Sequence, residues 1–367
     1  MRPLKLLFLA EARSVHSWRW IKFFASRGHE IDWISLSPAE PDADAAGLRF
    51  HPVAGGMLPV RIIRAVALAR RILRTQDIEV LHSHYAGTYG LAGALCGFHP
   101  FVLTAWGSDV LMAGRAAIRG PLVRFALKRA DLITCDAEHM REALTRLGVR
   151  DERIQIIYFG TDTDQYHPSR RTPDLRRRLG VGAAPLVISI RTLHPIYDVE
   201  SLIRAVPAVL REVSDARFLI GGDGPERVRL EELARQLGVS SAIHFLGMVG
   251  PSDLPEYLAS ADVYVSTSTS DGGLAASTAE AMACATPVVI TDFGQNREWV
   301  TDGVSGRIIP LRDPASLASA VSALLRDAGM RRAMGGAGRE VIVTRNNYAR
   351  EMGRMEALYA QLAARCD

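Results

Sequence analysis

The chain has 367 residues, 48% hydrophobic and 23% charged, with a net charge of +4; this is too long for one ordinary core and calls for two domains. Its balance excludes disordered and fibrous classes, and without basic-aromatic interleaving the modest charge argues against nucleic acid as a partner. Four scattered cysteines (Cys96, Cys135, Cys284 and Cys366) with no paired spacing argue against a disulfide framework or a zinc site and for a reducing, cytoplasmic setting.

The first residues, MRPLKLLFLAEARS, read as a buried strand, because their apolar run is too short for a signal segment. No stretch is long and apolar enough to span a bilayer. Strand-like runs EIDWISL, VLHSH, PFVLTAW, DLITCD and RIQIIYF follow, with helical patterns near 16–27, 58–74, 87–96, 116–129 and 138–147. Near-continuous apolar strands alternating with helices predict a parallel sheet covered on both faces, with ligands beyond the carboxyl ends of its strands. His16, in the first strand-to-helix loop, His82 and His84 at the end of VLHSH, and Asp109 after PFVLTAWGS all fall at such ends. We take the two strand histidines to point to opposite faces, which leaves His84 for the cleft.

The whole net charge lies early, with 21 Lys/Arg against 17 Asp/Glu in residues 1–165 and 23 against 23 in 166–367. Residues 61–74, RIIRAVALARRILR, set Arg61, Arg64, Arg71 and Arg74 near one helical face and Ile62, Val66, Ala69 and Leu73 on another. Two readings stay open: a solvated face over a buried stripe, or a face that meets an anionic membrane surface.

Residues 160–174 are polar and proline-containing and read as a linker. The alternation restarts with LVISI, ARFLIG, AIHFLG, DVYVSTS, PVVIT and GRIIP, and 313–365 is helical with breaks expected near Gly329, Gly335–Gly338 and Asn346–Asn347. This gives a doubly wound domain over 1–165, a second doubly wound domain over 166–345, and a terminal helix over 346–367. Arg191 ends LVISI, where a guanidinium can grip a diphosphate with two parallel hydrogen bonds. Gly221-Gly222-Asp223-Gly224 is a weak dinucleotide fingerprint, since Arg227 stands where the third glycine belongs, so NAD is rejected. Asp271-Gly272-Gly273 after YVSTS opens a helix and forms an anion cradle from backbone N–H groups and the helix dipole. Glu280 on that helix suits the hydroxyls of a ribose; the plain alternative is a capping box with Ser277. Asp42/Asp44 and Asp162/Asp164 are pairs too short to imply a metal, and we expect none.

Taken in order, these segments resemble glycosyltransferase family 4, retaining sugar transferases with two Rossmann-like domains (the GT-B fold). The likeness is strongest from Arg191 to Trp299, in GDGPERVRLEELARQLGV, HFLGMVGPSDLPEYLASADVYVSTS, EAMACATPVVITD and NREWVTDGVSGRIIP. It continues in SVHSWRWIKFFASRGHEI, VLHSHYAG, PFVLTAWGSDVL and YFGTDTDQYHP.

The resemblance implies a sugar-nucleotide donor on the second domain, a hydroxyl acceptor on the first, and no cofactor. The last helix would cross back to the first domain. Glu280 matches the second acid of the family's Glu-x7-Glu segment; Gly272 occupies the first, with Asp271 beside it. Arg191 matches the family's phosphate arginine, but Ile196 replaces the lysine five residues on, so Tyr197 and the amides of Gly272, Gly273 and Leu274 would share the load. Gly222 and Val249 join the donor side. Trp106 stands where the family often has histidine, which puts His16, His84 and Trp106 on the acceptor side and makes Asp109 or His16 heir to the catalytic role. The expected catalytic set is therefore Arg191, Asp271, Asp109 and His16. A non-catalytic sugar-nucleotide-binding subunit and a sugar-nucleotide epimerase on the same fold are the alternatives.

Overall fold

A computed structural model describes residues 2–38, 47–111, 119–269 and 273–365. The chain divides into two compact units, one of residues 1–160 with 349–367 and one of 161–348.

Unit 1 runs β1 (Lys5–Leu9), α1 (Val15–Ser26), β2 (Glu30–Ser35), β3 (Leu48–Pro52), α2 (Leu58–Thr75), β4 (Val80–His84), α3 (Thr88–Cys96) and β5 (Phe101–Thr104). It continues through α4 (Ser108–Leu111), α5 (Arg119–Arg129), β6 (Leu132–Cys135), α6 (Glu138–Arg146) and β7 (Ile154–Ile156). The seven strands are parallel in the order β3-β2-β1-β4-β5-β6-β7. Their central members are buried along their length, as a sheet with helices on both faces requires. β3 was not expected: LRFHP is short, half-polar and ends in proline, as an edge strand tolerates.

Unit 2 runs α7 (Pro173–Arg178), β8 (Leu186–Ile190), α8 (Val199–Glu212), β9 (Arg217–Gly221), α9 (Arg227–Gln236), β10 (Ile243–Gly247), α10 (Leu254–Ser260) and β11 (Val263–Ser266). Then come α11 (Ala276–Ala283), β12 (Val288–Thr291), α12 (Asn296–Trp299), β13 (Arg307–Ile309), α13 (Pro314–Arg326) and α14 (Ala328–Arg345). Its parallel sheet has the order β10-β9-β8-β11-β12-β13. Gly335 and Gly338 lie inside α14 rather than at a break. A Cβ on Gly335 would lie 2.0 Å from the Ala285 carbonyl oxygen, and one on Gly338 would lie 3.0 Å from that of Ser305. These glycines let the helix approach backbone closely, and helix propensity gives way to packing.

The last helix, α15 (Tyr348–Ala363), belongs to unit 1 from Ala349 onward. Its polar side chains hold it there. The Glu356 carboxylate accepts from Arg27 at 3.2 Å and meets His29 Nε2 at 3.0 Å. Glu351 accepts from the Tyr158 N–H at 3.1 Å. The fully buried Tyr359 hydroxyl lies 2.5 Å from His82 Nδ1.

Candidate functional site

In unit 2 the strand order reverses between β8 and β11, which pair side by side. The crevice beyond the carboxyl ends of such a pair is where doubly wound sheets take ligands. Arg191 is the first residue past β8, and its guanidinium carbon lies 4.1 Å from the centroid of the Tyr197 ring. This cation–π contact sets the direction of the side chain.

The Arg191 loop is clamped by the glycine turn that follows β9. The Arg191 N–H donates to Gly221 O at 3.0 Å and the Leu193 N–H to Asp223 O at 2.9 Å. Gly222 has φ +128°, and a Cβ there would lie 2.0 Å from the Arg191 carbonyl oxygen; one on Gly224 would lie 2.5 Å from that of Leu193. The glycines of this turn therefore serve the close approach of two loops. Val249 leans on the same spot, with Cγ2 3.1 Å from where Gly221 would carry a Cβ.

The turn carrying Tyr197 is tied in turn to the end of β11. The Thr269 N–H and hydroxyl both donate to Ile196 O, at 2.8 and 2.9 Å, and the Thr267 hydroxyl donates to Tyr197 O at 3.1 Å. α11 then begins, and the capping box weighed as the plain alternative for Ser277 and Glu280 is not what starts it. The N-cap is Ala275, which supplies no side-chain bond, and the Ser277 hydroxyl sits 2.8 Å from that of Tyr264. The helix starts one residue before Ser277, so the serine lies within the first turn. A helix start with no side-chain cap from its N-cap residue leaves backbone donors for an anion. Glu280 is half-buried one turn further on, and Gly273 and Leu274 lead into the helix. Asp271 and Gly272 lie outside the described residues, as do Asp42 and Asp44. The Asp162 carboxylate accepts from the N–H groups of Asp164 and Gln165, at 3.1 and 2.9 Å, so that pair closes a turn. Among the described residues no three His, Cys, Asp or Glu side chains are grouped to hold a metal ion.

In unit 1 the order reverses between β1 and β4. A cleft of about 550 Å3 opens there, with Glu11, His16, His84, Tyr85, Trp106 and Phe159 in its lining. His16 sits in the first turn of α1 rather than in the loop before it, because Ser14 caps the helix by accepting from the Ser17 N–H at 3.3 Å. Three rings form one wall. Trp106 and Phe159 stack 4.8 Å apart at 7°, and His16 lies 4.3 Å from Phe159 and 5.5 Å from Trp106. Burial, helped by the charge of Arg19, lowers the pKa of His16 below that of an ordinary histidine.

The expectation that His82 and His84 face opposite ways is wrong. Residues two apart on a strand share a face, and the two ring centroids are 4.6 Å apart. What separates them is hydrogen bonding. His82 meets Tyr359 through Nδ1 and the Thr104 hydroxyl through Nε2, at 2.7 Å, so both its nitrogens are engaged inside the unit. His84 meets the Ser17 hydroxyl through Nδ1 at 3.1 Å, while Nε2 has no hydrogen-bond partner among the described residues. Burial pushes the His84 pKa down to about 3, with the nearby His16 adding to the shift, so the ring is neutral.

Asp109 is buried, and its carboxylate accepts from the N–H groups of Ala86 at 2.6 Å, Trp106 at 3.1 Å and Val110 at 3.1 Å. Burial raises its pKa while these bonds work against the rise. Its geometry is that of an anchor joining the loop after β4 to the loop after β5. The sequence reading passed over Phe159, Tyr85, Tyr89 and Glu11. Their signal was position alone, since each stands within three residues of a strand end or one turn into the next helix.

Two doubly wound parallel-sheet units with a last helix returning to the first are the architecture of GT-B glycosyltransferases. The family described as "Glycosyl transferases group 1" matches residues 172–341, and "Glycosyl transferase 4-like" matches 5–137. A GDP-mannose-dependent alpha-(1-6)-phosphatidylinositol monomannoside mannosyltransferase of Mycolicibacterium smegmatis is 30% identical over 337 residues, 85% of each chain. An N-acetyl-alpha-D-glucosaminyl L-malate synthase of Bacillus anthracis is 25% identical over 92% of this chain and 91% of its own. Among solved structures, Anabaena HepE in complex with UDP shares the fold with a TM-score of 0.79 at 20% identity, covering 98% of this chain and 100% of its own. A glycosyltransferase from Rickettsia africae does so with a TM-score of 0.82 at 16% identity, covering 99% of each. The chain belongs to glycosyltransferase family 4 and transfers a sugar from a sugar nucleotide.

Proposed function

We propose that unit 2 holds a nucleoside-diphosphate sugar, that the cleft of unit 1 holds the acceptor, and that transfer to its hydroxyl retains the anomeric configuration without a metal or other cofactor. The observation that carries this reading is the pairing, at the strand reversal of unit 2, of the Tyr197-backed Arg191 with the uncapped start of α11. As the bond from the anomeric carbon to the diphosphate breaks, negative charge grows on the departing oxygen. Preorganised donors aimed at that charge supply most of the acceleration. Arg191 and the amides from Gly273 into α11 are those donors, and Glu280 takes the ribose hydroxyls. The acceptor oxygen bonds to the same face of the anomeric carbon, and its proton passes to the leaving phosphate oxygen. Ile196 offers no second cation, so the leaving group relies on one guanidinium and the helix end. Asp271 and Gly272 complete the donor loop in this reading. In this reading His84, Trp106 and His16 line the acceptor site, and Asp109 acts through the Trp106 loop.

The acceptor we favour sits at an anionic membrane surface, on the inner face of a cell membrane. α2 carries five arginines and no acid, with Ile63 exposed at 68% and the adjoining Met57 at 75%. No helix among the described residues is long and apolar enough to cross a membrane, so contact would be peripheral. One set of assays tests both parts. GDP-mannose or UDP-glucose with phosphatidylinositol monomannoside, in the presence of EDTA, should give a product with the donor's anomeric configuration by NMR. An inverted anomer, or activity abolished by EDTA, contradicts the mechanism. Vesicles containing anionic lipid should sediment the protein and release it in high salt; equal binding to neutral vesicles removes the membrane argument.

A further inference from the structure

We infer that Tyr85 is a specificity-determining residue of the acceptor site: its ring stacks against the acceptor's saccharide or cyclitol ring, and the surrounding loops hold it in a backbone conformation that tyrosine otherwise avoids. The inference rests on the acceptor reading of the unit 1 cleft. Tyr85 directly follows β4 and lines that cleft. Its φ is +78°, in the left-handed region where a bulky residue is an outlier. Such strain persists only where the surroundings over-determine it, and it gathers at functional sites.

The surroundings here do over-determine it. The Tyr85 N–H donates to Thr104 O at 2.8 Å, Tyr85 O accepts from the Gly90 N–H at 2.9 Å, and the next N–H, of Ala86, donates to the Asp109 carboxylate at 2.6 Å. The ring lies over Gly87, where a Cβ would come within 2.9 Å of Cε1. Glycine at 87 therefore makes room for the ring, and Asp109 helps to fix the backbone that carries it. A turn needed only for its shape would hold glycine or asparagine at 85. Instead the fold keeps a tyrosine, 37% exposed, at the edge of the cleft.

The chemistry of the cleft indicates what the ring meets. Tyr85 lines the same cleft as the aromatic wall of His16, Trp106 and Phe159, and Glu11, Ser14 and Thr88 offer polar groups in that lining. A ligand with an apolar C–H face and a rim of hydroxyls satisfies both. A ring already fixed by its backbone also loses little freedom when the ligand binds.

The test compares Tyr85→Asn with Tyr85→Phe. Asparagine accepts the left-handed conformation but has no ring, whereas phenylalanine keeps the ring. Transfer is measured with GDP-mannose and UDP-glucose against phosphatidylinositol monomannoside, L-malate and inositol 3-phosphate, together with the Tm of each variant. For Tyr85→Asn we expect Tm to hold or rise, the acceptor KM to rise at least about tenfold, and the donor KM to stay within about twofold. Tyr85→Phe should stay within about threefold of wild type in acceptor KM. An unchanged acceptor KM in Tyr85→Asn, a fall in its Tm, or an equal loss in Tyr85→Phe overturns the inference while wild-type activity leaves the functional reading intact. Wild-type protein that transfers to none of the three acceptors overturns that reading, and the role of Tyr85 falls with it.

Discussion

Arg191→Ala is expected to lower kcat by about tenfold to a hundredfold while Tm moves by no more than about 2 °C. One charge-assisted contact is worth about 1.5–3 kcal/mol, and each 1.36 kcal/mol of transition-state stabilisation is a factor of ten. The effect should fall mainly on kcat, because the charge met by the guanidinium is largest as the diphosphate departs. The fold should tolerate the change, since the Arg191 loop is held through its backbone to Gly221 and Asp223. Steady-state kinetics and a thermal melt on the same preparation check both parts. Turnover that is unchanged at full stability would show that the phosphates bind elsewhere.

The second large effect is expected at Gly222→Ala. A methyl group there would lie 2.0 Å from the Arg191 carbonyl oxygen, at a φ of +128° that L-residues rarely adopt. Backbone cannot yield as a side-chain tip can, so either the Arg191 loop or the end of β9 must move. We expect a loss of about 3 kcal/mol and a fall in Tm of roughly 6–12 °C, at about 2–4 °C per kcal/mol for a domain of this size. Nucleotide affinity should fall with it, because the loop that shifts carries Arg191, the residue proposed to meet the phosphates. Gly238→Ala is the control: its φ is also positive, at +69°, but nothing lies within 4 Å of the added carbon, so only about 1 kcal/mol is at stake. Equal losses at the two positions would mean that φ alone matters and that the contact with Arg191 does not.

The sequence disclosed what has a period or a composition. LVISI, PVVIT and VLHSH are buried on both faces, and their apolar runs announce a parallel sheet. Arg191 and the glycine turn before α11 could be placed at strand ends by counting along the chain. What could not be read were features fixed by a neighbour far away in sequence. Gly221–Gly224 looked like a failed nucleotide fingerprint because nothing local shows that the backbone of 191–193 presses on it. Gly335 and Gly338 looked like helix breakers because their partners, Ala285 and Ser305, lie about thirty to fifty residues back. His82 and His84 look equivalent in VLHSH, yet the hydroxyl that claims His82 comes from Tyr359 on the last helix. The aromatic wall of unit 1 was legible only in part, since Phe159 meets His16 and Trp106 through the fold alone.

A crystal structure of the protein with UDP or GDP addresses the donor site most directly. The account predicts both phosphates within hydrogen-bonding distance of the Arg191 guanidinium and of the N–H groups running from Gly273 into α11, with the ribose hydroxyls on Glu280. Phosphates seated instead in the charged hollow formed by His194, Arg204, Arg229 and Arg312, with Arg191 still stacked on Tyr197 and out of reach, would contradict it.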